Sequence, residues 1–205
     1  ESIASLGISK THNDLLGSHT VVTYPPLDAL QKVDGTALFE SISFRPTVDA
    51  YIHIPFCEYS CPFCSYPTLN VKGADGKRLP SYMDALKTEI ATWARKLKAQ
   101  HARVQSLYVG GGTPFAIPAT DLEELLVFAR ETLPFIKRPR ICVETSPKAT
   151  LQEDAPRKFD ILKQVGVTRM SVGVQTFDFE SLQKSARTFK GHTPEDEERA
   201  VRVLL

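Results

Sequence analysis

From residue 48 onward the hydrophobic pattern switches repeatedly between a period of two and a period near 3.6. Residues 48–54 alternate Val-Asp-Ala-Tyr-Ile-His-Ile, which predicts a strand rich in β-branched and aromatic residues. Pro55 stops it. Residues 80–100 place Leu86, Ile90, Trp93 and Leu97 at spacings of 4, 3 and 4, one face of a helix. Residues 104–109 predict a second strand, running into Gly110-Gly111-Gly112-Thr113-Pro114. A second helix is expected from Thr120, which makes a capping-box pattern with Glu123. Leu122, Leu125, Leu126, Ala129 and Leu133 form its apolar stripe.

The alternation then continues. Residues 140–145 predict a third strand, and a helix over 155–165 is closed by Gly166. A fourth strand over 167–174 leads into Gln175-Thr176-Phe177-Asp178, and a short helix spans 179–187. The last helix opens with Thr193 as N-cap and Pro194 in its first position. Glu195, Asp196 and Glu197 follow in the turn where the helix dipole favours anions. Four strand–helix units in series predict an α/β fold with a parallel sheet and right-handed crossovers. Periodicity alone does not separate an open sheet from a barrel. Residues 1–46 read as an N-terminal extension, broken at Tyr24-Pro25-Pro26, with one or two short helices over 27–42. Residues 47–205 read as the core.

Composition changes this picture little. The 205 residues are 42% hydrophobic and 24% charged, with a net charge of +1, which excludes a disordered or collagen-like chain. The balance of charges gives no support for nucleic-acid binding. No apolar run is long enough to span a membrane, and the first ten residues lack a signal-peptide core, so a cytoplasmic setting is expected.

The cysteines change it more. Of four, three lie within eight residues: Cys57, Cys61 and Cys64. Pro55, Pro62 and Pro67 hold that segment as a loop at the C-terminal end of the first strand, where parallel α/β folds gather their active sites. Disulfides suit an odd trio in a reducing compartment badly. Structural zinc needs a fourth ligand, for which His53 or Cys142 is available without a usual zinc-finger offset. An iron–sulfur cluster with one open iron is the third and favoured reading. Cys142 itself reads as a small buried hydrophobe.

The stretch Tyr51-Ile-His-Ile-Pro-Phe-Cys57, the Cys-x3-Cys-x2-Cys spacing and Phe63 before the third cysteine resemble the radical S-adenosylmethionine (SAM) enzymes. Gly110-Gly-Gly-Thr-Pro114, Val143-Glu144 and Ser171-Val-Gly-Val-Gln175-Thr-Phe177 follow in the order seen in the oxygen-independent coproporphyrinogen III oxidase branch. That branch also holds haem chaperones and class C methyltransferases. The resemblance implies a partial (β/α)6 TIM-type barrel, of which about four units are present, so the rest of the barrel is expected to be needed for tight SAM binding. It implies a [4Fe-4S] cluster on Cys57, Cys61 and Cys64, with one or two molecules of SAM. It also implies cofactor contacts at Tyr51, Phe63, Gly111, Gly112, Thr113, Glu144, Gln175 and Arg187, and a part for His53.

A reductant such as flavodoxin or ferredoxin and a small-molecule substrate are the expected partners. In the family, an electron from the reduced cluster cleaves SAM to methionine and a 5′-deoxyadenosyl radical that abstracts hydrogen from substrate. Ser65 and Tyr66 stand where an oxidase-type sequence has a cysteine. This favours methyl transfer or cyclopropanation on a specialised metabolite over tetrapyrrole decarboxylation or haem chaperoning.

Overall fold

The computed structural model describes residues 32, 34–59, 61–64, 66–185 and 193–205. Two units divide the chain, Glu1–Ile42 and Ser43–Leu205. In the first, helix α1 (Gly35–Ser41) is capped by Asp34, whose carboxylate accepts from the Thr36 N–H at 2.8 Å. Residues 27–31 and 33, where further helix is expected, lie outside the described residues.

The second unit is built on four parallel strands, β1 (Thr47–Ile54), β4 (Arg103–Gly111), β5 (Phe135–Thr145) and β6 (Arg169–Val172), in the spatial order β1-β4-β5-β6. Helices α2 (Leu79–Ala99), α3 (Ala119–Thr132) and α5 (Ala155–Val165) are the crossovers. Between β1 and α2, the two-residue strands β2 (Phe56–Cys57) and β3 (Leu69–Asn70) pair in parallel. After β5 comes the single turn α4 (Pro147–Thr150), and after β6 the helices α6 (Phe179–Lys184) and α7 (Pro194–Leu204).

Strand pleat divides the sheet cleanly. Ile52, Val109 and Val143 are in register across β1, β4 and β5, and all are buried. They join Leu86 and Ile90 of α2, Leu122 and Leu125 of α3, and Ile161 of α5 in one core. The opposite face carries Tyr51, Tyr108, Cys142 and Arg169 in one row, and Glu144 beside Ser171 in the next. An irregularity at Gln105 shifts the β4 register, so that Val104 and Leu107 both face the core although they are three residues apart.

The structure corrects several expected elements. Strand β5 begins at Phe135 rather than 140. The register jumps from Val104↔Phe135 to Ser106↔Arg140, and Pro139 sits in that irregular stretch, where its missing N–H breaks no ladder bond. Strand β6 is four residues long because its partner β5 ends at Thr145, two residues before Pro147. Thr120 makes no capping box: it falls inside α3, whose N-cap is Pro118, without a side-chain cap. Leu133 is the C-cap of that helix. Trp93 is half-buried and meets Phe44 edge to face at 6.2 Å, while Ala94 takes the core position on α2. Gly166 does close α5 in the left-handed conformation, and Thr193 accepts from the Asp196 N–H as the N-cap of α7.

Candidate functional site

The site lies where β1, β4 and β5 end. The peptide leaving β1 passes through β2, and the Gly110–Thr113 loop leaving β4 is hydrogen-bonded to it along its length. The Gly112 N–H donates to Ile54 O and the Thr113 N–H to Phe56 O, each at 2.8 Å. On the other side, the Leu69 N–H donates to Pro55 O and the Val71 N–H to Cys57 O, both at 2.8 Å. The backbone around the first cysteine is therefore held from two sides, which fixes the thiol's origin before any ligand arrives.

Two glycines are required by this arrangement. Gly111 has φ of +118°, and a Cβ there would lie 2.7 Å from the His53 ring. A Cβ on Gly112 would lie 2.8 Å from Cys57 Sγ and 2.7 Å from Phe56 O. The Thr113 hydroxyl is 3.6 Å from the same sulfur.

Behind the loop stands a polar row from the strands. The Gly111 N–H donates to Glu144 Oε2 at 3.2 Å. Burial raises the Glu144 pKa above its ordinary 4.5, while the Gly111 N–H, the Tyr108 hydroxyl and the His53 ring oppose that rise. Tyr51 and His53 share a hydrogen bond of 3.0 Å, and the Tyr82 hydroxyl donates to His53 O at 2.6 Å. Tyr51 stacks on Tyr108 with ring centroids 6.0 Å apart, and the Tyr108 hydroxyl is 2.9 Å from Ser171 Oγ. Tyr82 and Tyr108 were not singled out by motif, and Ser171 was quoted only as the start of a segment. For Tyr108 the signal is register, since it is the cross-strand neighbour of Tyr51.

The structure thus brings together Tyr51, His53, Cys57, Gly111, Gly112, Thr113 and Glu144. Phe63 is on the cysteine loop and exposed, next to Cys64, which is also exposed. Gln175 lies three residues beyond β6, exposed, with φ of +69°, a conformation uncommon for a side chain of its kind. Arg187 lies outside the described residues. Cys142 is buried in β5, as expected of a small core residue.

None of the four cysteines is in a disulfide. Burial pushes the Cys57 thiol up, with the Thr113 hydroxyl working against it. Such a thiol becomes a good ligand only when a cation takes its proton's place. Among the described residues no three His, Cys, Asp or Glu side chains are placed to hold a single ion, which is what the zinc reading requires. A four-iron cluster asks for something else, because each thiolate takes its own iron and the three need not converge on a point. Three cysteines on one loop outside any disulfide, with a side-chain-free cradle at Gly112 beside the first, fit that group.

The Radical SAM superfamily matches over residues 51–205. An anaerobilin synthase of Escherichia coli O157:H7 is 37% identical over 143 residues, 70% of this chain and 31% of that protein. The haem chaperone HemW of E. coli K12 is 30% identical over 77% of this chain and 39% of its own length. An oxygen-independent coproporphyrinogen III oxidase of Cereibacter sphaeroides is 36% identical over 67% of this chain and 29% of its length. The solved structure of E. coli coproporphyrinogen III oxidase (HemN), a radical SAM enzyme, superposes with a TM-score of 0.58 at 30% identity, covering 70% of this chain and 31% of that one. The chain spans about a third of the length of these relatives. The parallel sheet, its helices and the match to part of that structure make the fold a portion of the same barrel. The family's cofactors are a [4Fe-4S] cluster and SAM. The chain belongs to the Radical SAM superfamily, in the branch that includes HemN and HemW.

Proposed function

We propose that this chain forms the cofactor-binding part of a radical SAM enzyme, with Cys57, Cys61 and Cys64 as the cluster ligands. The observation that carries the reading is the joint between two loops. The Gly110–Thr113 backbone is hydrogen-bonded to the segment bearing Cys57, and Glu144 is bonded to the same loop. A cluster on the thiolates and the amino group of SAM near Glu144 would therefore be positioned by one hydrogen-bonded unit. When bound, the cluster supplies the electron that splits SAM into methionine and a 5′-deoxyadenosyl radical.

The chain's own residues have defined parts in this reading. Gly111 and Gly112 let backbone approach the ligand, and Glu144 offers a carboxylate to an ammonium or hydroxyl. Tyr51, exposed beside His53, and Phe63 flank the cofactor. Gln175, beyond β6, and Arg187, outside the described residues, would add polar contacts to SAM in this reading. Reduction by a flavodoxin or ferredoxin belongs to the same reading.

The substrate we favour is a tetrapyrrole, because coproporphyrinogen III oxidases are among the relatives. Methyl transfer, put first from the sequence, finds no support in those relatives. It survives as a second reading because Tyr66, 53% exposed, takes a place where an oxidase-type cysteine would stand. The full-length protein, reconstituted anaerobically with iron and sulfide, is expected to show cluster absorbance and to release 5′-deoxyadenosine from SAM under reducing conditions. Cys61→Ala is expected to abolish both, and cluster formation without release of 5′-deoxyadenosine supports a chaperone instead. Methyl-labelled SAM decides the chemistry: label in the product selects methyl transfer, and its absence with loss of carbon dioxide selects decarboxylation.

A further inference from the structure

Lys158, one turn into α5, brings a charged side chain into the core, where it is 1% exposed. Its ammonium meets three acceptors. Nζ donates to Phe115 O at 2.9 Å and to Gln152 Oε1 at 3.4 Å, and it pairs with Asp154 Oδ2 at 2.9 Å. It also stands over the Phe115 ring, 5.4 Å from the centroid. Gln152 and Asp154 belong to the segment just before α5. Phe115 belongs to the turn Pro114–Ala116, which directly follows the Gly110–Thr113 loop. An apolar side chain of similar volume would fill this space without the cost of taking an ammonium out of water. It would not hold one particular carbonyl at a set distance.

We propose that Lys158 is a positioning residue of the cofactor site: it fixes the turn after the Gly110–Thr113 loop, and thereby the seat of that loop against Cys57. The inference rests on the reading of that loop as part of the SAM site. The near side of the loop is set by backbone, since the Gly112 and Thr113 N–H groups donate to Ile54 O and Phe56 O. Beyond Thr113 that device stops, because Pro114 has no N–H. Lys158 takes over at the carbonyl of Phe115, a fully buried residue. The Ala116 N–H donates to Thr113 O at 2.8 Å, so the anchored turn is bonded back to the loop. The tolerance is small. Thr113 Oγ1 lies 3.6 Å from Cys57 Sγ, and Gly112 leaves no room for even a Cβ beside that sulfur. Without the ammonium the Phe115 carbonyl stays buried and loses this donor, which favours movement of the turn toward another partner. Thr113 would move with it.

The test uses the full-length protein, reconstituted anaerobically and reduced, with two readouts. One is the change in the electron paramagnetic resonance signal of the cluster when SAM is added, and the other is release of 5′-deoxyadenosine. Lys158→Met keeps the apolar stem and removes the ammonium. Its cluster content is expected to match the parent, while the SAM-induced spectral change is altered and release falls about a hundredfold, the effect of a displacement of about 1 Å. Asp154→Ala removes the ion pair and keeps the bond to Phe115 O. It is expected to lower the unfolding midpoint and leave both readouts at the parent level. Lys158→Met with the parent's spectrum and release would overturn the inference while leaving the SAM reading standing. Equal losses in Asp154→Ala would overturn it too, by assigning the effect to the charge pair or to lost stability. Failure of Lys158→Met to fold would do the same, since the residue would then serve the core as a whole. A parent protein that loads cluster but does not respond to SAM overturns the reading of the loop, and the inference with it.

Discussion

The two faces of the same four strands are built by opposite rules. On one, Ile52, Val109 and Val143 lie in register and pack against three helices with almost no solvent contact. On the other, Tyr51, His53, Tyr108, Glu144 and Ser171 exchange hydrogen bonds and remain half open. The first face stabilises the sheet through apolar burial, about 25 cal/mol per Å² removed from water. The second spends some of that stability, since Glu144 is a partly buried carboxylate whose protonated form the fold favours. The difference teaches that stability and chemistry alternate residue by residue along one strand, and each can be perturbed separately.

The largest expected effect falls where the faces meet, at the loop ends. In Gly112→Ala the new Cβ would press on both Cys57 Sγ and Phe56 O, and the second contact is backbone that a rotamer change cannot relieve. Cluster content per protein is expected to fall to a small fraction of the parent value, while far-ultraviolet circular dichroism keeps its helical shape. Full cluster content in this variant would show that the loop joint does not hold the ligand.

Ile141→Ala attacks the apolar face alone. Ile141 is 2% exposed, and its truncation is expected to cost about 2–5 kcal/mol in denaturant unfolding. The variant that stays folded should take up cluster and bind SAM as the parent does. A proportional loss of SAM affinity would mean that the two faces are coupled.

Glu144→Gln attacks the polar face alone. Removing a charge-assisted bond to an ammonium costs about 1.5–3 kcal/mol, so SAM affinity is expected to fall about ten- to a hundredfold. The pH dependence has a defined sign. Burial raises the folded pKa above the ordinary 4.5, so the carboxylate proposed to meet the SAM ammonium is lost as pH falls through a value higher than 4.5, and SAM binding is expected to weaken on that acid limb. For stability the direction reverses: the fold favours the protonated form, so this contribution is present below 4.5 and disappears as pH rises through the folded value. Glu144→Gln is expected to flatten the acid limb of SAM binding, and calorimetric titration at several pH values checks it.

Much of this could be read from the residues because the signals were short-range. The cysteine spacing, the three glycines followed by threonine and proline, and the alternation in residues 48–54 each specify local geometry without knowledge of the rest. What was missed depends on partners distant in sequence. Phe135 extends β5 because Val104 lies beside it, and β6 stops where β5 does. Thr120 and Glu123 have the right spacing for a capping box, but the helix already starts at Ala119 after Pro118. Arg187 falls outside the described residues, and Gln175 shows an unusual backbone rather than a contact with Glu144. Tyr108 is the instructive omission, since it belongs to no motif and gains its place only from the register of β4 against β1.

Tyr108 also offers the finest test of the comparison. Tyr108→Phe keeps the ring stacked on Tyr51 at 6.0 Å and removes only the hydroxyl that meets Ser171 and supports the ionised form of Glu144. Without that donor the Glu144 pKa should climb further, moving the acid limb of SAM binding to higher pH while affinity at alkaline pH is nearly kept. Stability is expected to change by only about 0.5–1.5 kcal/mol, the net worth of one hydrogen bond. A limb that stays in place would show that Glu144 is governed by burial and by the Gly111 N–H alone, and the polar row would then be a set of neighbours rather than a coupled network.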